Sequence, residues 1–269
     1  MNFDNIGSRQ PVDVASLQDA LLSNGLYGQV IYDEATGSTN ADLLVLASEG
    51  APDWTLKTVE RQDSGRGRLG RPWTAPQGSQ AIVSVLFRPG KDKIEELGTV
   101  PLACGLSVMD ALKDFDVPNA GLKWPNDVLI DGKKLCGILV EATNFDTEPA
   151  VVIGMGINIS LHKDELPVPH ATSLELQGVK VDSTAFLISV LTHLRTRLGQ
   201  WRSPSNDWLD DYRDVCSSIG QEVRVHLPGE KELLGSAIGI AAGGQIRVRD
   251  EAGTVHTLNA GEIKHLRLQ

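Results

Sequence analysis

The pattern of the chain changes near residue 218, and this change restricts the folds that the chain can adopt. Before it, helical and strand patterns alternate, and the amphipathic helix over residues 183–201 is the clearest of them. After it, four or five short strand patterns are separated by turns at PGE, AGG, EAG and NAG. Closely spaced short strands with such turns are typical of a small β-barrel. The sequence therefore predicts an α+β domain followed by a small C-terminal β-barrel.

This change also predicts how the chain is divided. Residues 1–12 read as a loose leader, and a short helix follows them and ends at Gly25. Three parts are therefore predicted: a leader with a short helix (1–28), a main domain (29–217) and the C-terminal barrel (218–269). Within the main domain, a helical period over 92–115 is predicted to break at Pro101, and a β-hairpin is predicted to turn at Asp131-Gly132.

Composition and cysteine usage exclude several classes of protein. The chain has 269 residues, of which 41% are apolar and 22% charged, as in an ordinary globular protein. No stretch approaches the roughly 18 consecutive apolar residues of a membrane span, and the polar N-terminus lacks the regions of a secretory signal. The three cysteines form neither a metal spacing nor a disulfide framework. We therefore expect a reduced, cytoplasmic protein without a metal bound by His or Cys.

The charge is uneven along the chain. Residues 219–269 hold six acidic and six basic residues, so the first 218 residues carry the whole formal net charge of −10. A chain this acidic is a poor general binder of phosphate backbones. Within its acidic part, residues 61–71 nevertheless carry four Arg against one Asp. A cationic island in an anionic domain favours a specific small anion over a polymer.

That island belongs to the first candidate site, the Gly/Arg segment QDSGRGRLGRPW over residues 62–73. Its glycines let backbone N–H groups approach a bound group, and Arg66, Arg68 and Arg71 add guanidinium donors. The segment is neither a P-loop nor a Rossmann fingerprint. We predict a loop that orders around an anion; the alternative is a solvated Arg/Gly surface loop.

Three further motifs can carry chemistry. The segment KWPND at 123–127 presents a cation, an aromatic ring, an amide and a carboxylate on a turn, or is only a turn with a packed Trp. Lys134 lies where the hairpin re-enters an apolar strand, so it either pairs with an anion or snorkels. Gly154 and Gly156 interrupt a strand, which indicates close approach of a ligand or backbone, or a bulge.

The Gly/Arg segment, KWPND, GKKLCGILVE and GMGIN follow one another in this order, and with them the chain resembles the biotin protein ligases, which are related to lipoate ligases. The resemblance runs from roughly residue 30 to the C-terminus. It implies a mixed β-sheet packed with helices, the class II-synthetase-like biotin/lipoate ligase fold, followed by an SH3-like barrel. It also implies an enzyme that uses MgATP to activate biotin as biotinyl-5′-AMP. The biotinyl group then passes to a lysine of an apo biotin carboxyl carrier domain of acyl-CoA carboxylases. The nearest rival is a lipoate or octanoate ligase of the same fold.

The same resemblance assigns roles to individual residues. Lys134, Arg68 and Asp127 are the implied catalytic residues, and Asp127 would orient the incoming lysine or take its proton. The implied biotin-binding residues are Ser38, Thr39, Asn40, Gln62, Arg66, Gly67, Arg68, Lys134, Gly137, Gly154 and Gly156. The implied ATP- and adenylate-binding residues are Arg66, Arg68, Arg71, Trp73, Lys123, Asn126, Lys134 and Asn158. Trp73 would stack on the adenine side and Asn158 would help hold phosphate or Mg²⁺, which otherwise binds through the ATP phosphates.

Departures from the family pattern carry further expectations. Many members have an N-terminal winged helix-turn-helix, and only about 28 residues precede the implied catalytic pattern here. We therefore expect a monofunctional ligase, monomeric or homodimeric, that does not bind DNA directly, and not a regulator that senses biotinyl-AMP. Cys136 stands where members often have Ala; we interpret it as a small buried hydrophobe, with an oxidation-sensitive thiol as the alternative. An unrelated Gly/Arg anion-binding module is the remaining competing interpretation.

Overall fold

One mixed sheet of seven strands organises most of the chain in the computed structural model, which describes residues 9–144, 148–205, 207–227, 231–259 and 262–265. In chain order its strands are β1 (Gln29–Thr36), β2 (Thr55–Gln62), β3 (Gln80–Phe87), β4 (Ala120–Lys123), β5 (Asp127–Ile130), β6 (Lys133–Thr143) and β7 (Ala150–Asn158). Across the sheet they follow the order β1-β2-β3-β7-β6-β5-β4. β1 and β2 are parallel and the other neighbours are antiparallel, so the sheet is mixed, as the resemblance implies.

Helices cover both faces of this sheet. The α-helices of the described residues are α1 (Val14–Leu22), α2 (Thr39–Ser48), α3 (Val100–Asp114), α4 (Ser183–Arg202) and α5 (Trp208–Val215). On one face, Leu43 and Ala47 of α2 pack against Leu86 and Val152. The strand residues with the opposite orientation, such as Val85, join the main core together with α1, α3, α4 and α5. Alternation along β3 thus places a helix on each side of it.

The local signals produce the predicted breaks and turns. The helical pattern over 92–115 divides into a 3₁₀ segment (Lys91–Thr99) and α3, with Pro101 in the first turn of α3. Proline is tolerated there because its missing N–H would have no partner within the helix. The predicted hairpin forms between β5 and β6: Asp131 and Gly132 both have positive φ, as a two-residue type I′ turn requires.

The C-terminal segment forms a second, smaller sheet. Its strands are β8 (Glu222–Leu227), β9 (Lys231–Ile240), β10 (Ile246–Arg249), β11 (Val255–Leu258) and β12 (Glu262–His265). All neighbours are antiparallel, and β11 and β12 lie at its two ends. Val223, Val225 and Val248 are fully buried and belong to the same core as the large sheet. Residues 266–269, the end of the predicted barrel, lie outside the described residues.

The beginning of the chain corrects one expectation. Residues 9–12, predicted as the end of a loose leader, and the following Asp13 are bound to three parts of the main domain. Arg9 pairs with Glu165, the amide of Val12 donates to Glu60, and the amide of Asp13 donates to Thr184. Residues 1–8 lie outside the described residues. None of the helices within the described ranges is both long and apolar enough to cross a bilayer.

Candidate active site

A cavity of about 530 Å³ opens where the four sequence motifs meet. Its walls come from the start of α2, the Gly/Arg segment, the KWPND turn, the facing parts of β6 and β7, and the segment after β7. Its size falls in the range of roughly 300–1,000 Å³ that is usual for small-molecule sites. The strand order explains why these motifs lie together: β7 lies between β3 and β6, so motifs that are far apart in sequence become neighbours.

Every predicted site residue except Asn158 lines this cavity. These residues are Ser38, Thr39, Asn40, Gln62, Arg66, Gly67, Arg68, Arg71, Trp73, Lys123, Asn126, Asp127, Lys134, Gly137, Gly154 and Gly156. The lining also contains residues that the site prediction did not include: Leu69, Pro72, Thr74, Val83, Trp124, Pro125, Ile138, Leu139, Met155, Pro167, Val168 and His170. Pro167, Val168 and His170 come from an irregular segment with no motif that could have marked them.

Asn158, predicted to help hold phosphate or Mg²⁺, lies outside the lining of the cavity. Its side chain is fully buried, and its Oδ1 accepts a hydrogen bond of 2.7 Å from Gln80. Its Nδ2 donates to the carbonyl of Thr172 at 2.8 Å. Both ends of the amide are therefore used inside the protein, and Asn158 fixes the chain that follows β7.

The cavity is cationic although the chain is acidic. Its lining contains the basic residues Arg66, Arg68, Arg71, Lys123 and Lys134. Asp127 is the one Asp or Glu among the described lining residues. Cations gathered in a concave site concentrate anions there, and guanidinium groups bind phosphates and carboxylates in two-pronged fashion. The arrangement suits a ligand with several negative charges.

Lys134 and Asp127 form an ion pair inside the cavity. Nζ of Lys134 lies 2.7 Å from Oδ1 of Asp127, and each side chain is 20% exposed. The hairpin brings the two together, because Asp127 begins β5 and Lys134 lies near the start of β6, beside a register shift. The backbone of Lys134 is held as well: its amide donates to the carbonyl of His170, and its carbonyl accepts from the amide of Thr172, both at 2.8 Å.

The Gly/Arg segment folds back on itself over the cavity. The amide of Gly67 donates to the carbonyl of Arg71 at 2.7 Å, and the amide of Trp73 donates to that of Gly65 at 2.8 Å. A Cβ at Gly65 would lie 2.2 Å from the Trp73 carbonyl oxygen, so this position requires glycine. Leu69 stands at the tip, 82% exposed.

Arg68 connects this segment to the KWPND turn. Its Nη1 donates to Oδ1 of Asn126 at 3.2 Å. The Nδ2 of Asn126 donates to the carbonyl of Ile138 at 2.8 Å, and the amide of Ile138 donates back to the carbonyl of Asn126. The peptide bond between Trp124 and Pro125 in the same turn is cis. Asn126 thus joins β6 to the loop that carries the arginines.

Trp73 and the strand glycines pack against one another in the structure. A Cβ at Gly156 would lie 2.2 Å from Nε1 of Trp73, and one at Gly137 would lie 3.3 Å from the same ring. Lys134 Nζ lies 5.1 Å from the centre of that ring, within cation–π range. A Cβ at Gly154 would instead meet Asn40 Oδ1 at 2.3 Å. These glycines therefore make room for Trp73 and Asn40 from within the protein.

The polar residues at the start of α2 form a connected network. Ser38 caps the helix, accepting from the amide of Ala41. The amide and hydroxyl of Thr39 donate to Oε1 of Gln62 at 2.9 and 3.0 Å. Asn40 donates to Glu141 at 2.8 Å. The network holds amide and hydroxyl groups at the cavity wall in fixed orientations.

Comparison with known proteins identifies the family. The model of the Biotin/lipoate A/B protein ligase family matches residues 33–158, and that of the Biotin protein ligase C terminal domain matches residues 218–266. The biotin--[acetyl-CoA-carboxylase] ligase of Mycobacterium tuberculosis is 40% identical over 265 residues, which cover 96% of this chain and 97% of that protein. The chain belongs to the biotin protein ligase family.

Further relatives agree with this assignment. The bifunctional ligase/repressor BirA of Escherichia coli is 29% identical over 209 residues, or 76% of this chain and 64% of that protein. The biotin protein ligase of Aquifex aeolicus, solved in complex with biotin and ATP, superposes with a TM-score of 0.76 at 29% identity. That match covers 90% of this chain and the whole of the solved one, so it extends the biotin protein ligase fold to both sheets.

In this member of the biotin protein ligase family, Cys136 is buried beside the site. It is 0% exposed, and burial raises the pKa of its thiol to about 12 although Lys134 acts in the opposite direction. A thiol with so high a pKa is almost wholly protonated near neutral pH and is a poor nucleophile. The geometry favours the interpretation as a small buried hydrophobe.

The donors of the site also bear on the metal that ATP brings. No group of three or more His, Cys, Asp or Glu residues within the described part of the chain is placed to hold a metal ion. In the cavity, the carboxylate of Asp127 already faces Lys134. Mg²⁺ commonly binds through nucleotide phosphates and water with few protein ligands. The donor set thus fits Mg²⁺ that arrives as part of the MgATP substrate.

Proposed function

We propose that the protein is an ATP-dependent ligase that activates biotin as biotinyl-5′-AMP and transfers it to a lysine of a biotin carboxyl carrier domain. One observation carries the proposal: in a chain of the biotin protein ligase family, the four motifs converge on one cationic cavity around the Lys134–Asp127 pair. The names of its relatives, which include a biotin--[acetyl-CoA-carboxylase] ligase, support this choice of substrates.

The first step requires two anions to react. An oxygen of the biotin carboxylate forms a bond to the α-phosphorus of ATP, the bond from that phosphorus to the bridging oxygen breaks, and pyrophosphate leaves. Lys134 and Arg68 are proposed to cancel the repulsion and to stabilise the charge that develops on the phosphate. Arg66, Arg71 and Lys123 bind the remaining phosphate charge, and Trp73 contributes on the adenylate side.

The second step needs a neutral amine. The acceptor lysine nitrogen forms an amide bond to the acyl carbon, the bond from that carbon to the phosphate oxygen breaks, and AMP leaves. We propose that Asp127 orients the incoming lysine and takes its proton. In the structure Asp127 faces Lys134, so Lys134 turning toward the adenylate would release the carboxylate for this task.

The biotin side of the site is proposed at the start of α2. Ser38, Thr39, Asn40 and Gln62 provide oriented hydroxyl and amide groups suited to a ureido ring, which both donates and accepts hydrogen bonds. A second candidate substrate is lipoate, because the matching family model covers biotin and lipoate ligases together. The C-terminal domain favours biotin, since the model that matches it is that of biotin protein ligases.

Location and organisation complete the proposal. A cytoplasmic site of action is supported by the free, buried state of Cys104, Cys136 and Cys216, which suits a reducing compartment. We retain a catalytic domain over 29–217 and a C-terminal domain from 218, where the second family match begins.

The test is a transfer assay with two acids in parallel. The protein is mixed with MgATP and an apo carrier domain, biotin or lipoate is added, and pyrophosphate and the acceptor mass are followed. The proposal predicts the mass gain of one biotinyl group on one lysine. Pyrophosphate without acceptor modification would support adenylation but contradict the choice of acceptor. Modification with lipoate alone would overturn the substrate and leave the fold unchanged.

A further inference from the structure

The N-terminal segment 9–13, here called the strap, lies outside both sheets and is fixed at both of its ends. At one end, the amide of Asp13 donates to Oγ1 of Thr184 in α4 at 2.9 Å, and Asp13 caps α1. One residue earlier, the amide of Val12 donates to Oε1 of the buried Glu60 at 2.8 Å. These bonds attach the strap to the main domain independently of its other end.

At its other end the strap holds the segment that follows β7. Nη2 of Arg9 donates to the carbonyl of Ser160 at 2.8 Å and pairs with the carboxylate of Glu165. The Arg9 and Glu165 side chains are only 12% and 18% exposed. The same Glu165 carboxylate accepts from the amide of His162 at 2.8 Å, so Arg9 helps to hold the turn over 160–165, together with Ser79, whose carbonyl accepts from the amide of Ser160.

This turn leads directly into a wall of the cavity. Pro167, Val168 and His170 line it, and the carbonyl of His170 accepts the hydrogen bond from the amide of Lys134. The wall is therefore attached at one end to β6 at the proposed reaction centre and at the other end to Arg9. It contains no helix or strand of its own between β7 and residue 171. Further bonds join Ser160 to Ser79 and Leu161 to Ser173, so loss of Arg9 should loosen chiefly the part over 162–170.

We propose that Arg9 is a positioning residue, which holds the 160–170 segment against the cavity through Glu165 and the Ser160 carbonyl and thereby sets the affinity for a small substrate. Arg9 does not line the cavity, so it acts through the wall and not by contact with ligand. The kinetic part of the inference rests on the proposed ligase function, whereas the structural part does not.

The experiment compares Arg9→Gln, Arg9→Lys and Glu165→Gln with the wild-type chain. Amide hydrogen exchange is measured over residues 160–172, and KM for biotin, KM for MgATP and kcat are measured from pyrophosphate release. We expect about tenfold faster exchange in the segment and about a tenfold higher KM for at least one small substrate in Arg9→Gln, with kcat within about threefold. Glu165→Gln should show the same changes as Arg9→Gln, and combining the two substitutions should add no further change. Arg9→Lys should keep part of the wild-type protection from exchange and part of the wild-type affinity.

Arg224→Gln is the control, because Arg224 pairs with Glu232 on the small sheet and neither residue lines the cavity. It should change neither measurement. Unchanged exchange at 160–172 in a folded Arg9→Gln protein would overturn the inference. So would faster exchange with both KM values unchanged, or a fall in kcat alone. If the wild-type protein releases no pyrophosphate, the ligase proposal fails, while the exchange data still decide whether Arg9 holds the wall.

Discussion

At the scale of single residues, Lys134 connects more parts of the site than any sequence pattern indicated. Its ammonium group pairs with Asp127 and lies over the Trp73 ring, while its backbone bonds hold residues 170–172. A lysine beside buried strand residues is more often snorkelling than functional when judged from sequence alone. In the structure the side chain pairs with Asp127 in a cavity that contains several other cations, as a lysine that binds an anion would.

Lys134→Ala is expected to lower the rate of adenylate formation by about 100-fold or more, on the order of what is lost when one preorganised charge-stabilising donor is removed from an active site. The exposed neighbour Lys133 is the matched control, and Lys133→Ala should leave the rate within about twofold. The measurement is biotin-dependent pyrophosphate release by folded protein. Equal rates for the two variants would remove Lys134 from the mechanism.

At the scale of elements, the first turn of α2 depends on a nearly buried lysine of β2. Nζ of Lys57 lies 2.7 Å from Asp33 of β1 and 2.8 Å from Asp42 of α2, and Thr36 donates to Asp42 at 2.7 Å. Burial acts to raise the pKa of Asp42, but the hydrogen bonds from Lys57 and Thr36 outweigh it, so the pKa is lowered. This network fixes the helix that presents Ser38, Thr39 and Asn40 to the cavity.

Asp42→Asn should therefore reduce the free energy of unfolding by about 1 kcal/mol near neutral pH, as is typical of a partly exposed ion pair. Because the folded-state pKa lies below the usual value of 3.8, the stabilisation is complete above that value and is lost as pH falls through the folded pKa. Urea unfolding at several pH values should show the difference from wild type shrinking below about pH 4. The exposed Asp214 supplies the control variant, Asp214→Asn. If the difference in unfolding free energy between wild type and Asp42→Asn stays constant below pH 4, the ion pair of Asp42 is not its source.

Elements with strong local signals were predictable, and their long-range pairing was not. The hairpin at Asp131-Gly132 and the break near Pro101 follow from residues a few positions apart, so the sequence alone located them. The insertion of β7 between β3 and β6 depends on burial of both faces, which no local pattern specifies. Asn158 illustrates the limit of prediction from sequence. Its GMGIN motif indicated contact with a ligand, whereas its position at the end of β7 buries its side chain.

At the scale of the whole molecule, the boundary near residue 218 is a change of pattern but not a break in packing. The small sheet shares one core with the large one. Nε1 of Trp124, in the KWPND turn, donates to the carbonyl of Gly244 in the turn between β9 and β10 at 2.9 Å. Position 244 also requires glycine, since a Cβ there would lie 2.6 Å from the Thr99 side chain. The small sheet thus touches the turn that carries Asp127.

Trp124→Phe tests this connection, because it keeps an aromatic ring and removes the donor to Gly244. Leaving the buried carbonyl without its partner should cost about 1–3 kcal/mol of unfolding free energy. Because the KWPND turn would then be held less firmly, kcat/KM for pyrophosphate release should also fall about tenfold. Urea unfolding and pyrophosphate release are measured on the same protein samples. Trp208→Phe is the matched control, since Nε1 of Trp208 is buried without a hydrogen-bond partner among the described residues. That variant removes buried ring volume but no hydrogen bond among the described residues, so it should lose less stability than Trp124→Phe and keep activity close to wild type. If both variants lose equal stability and neither loses activity, the small sheet does not act on the site through Trp124.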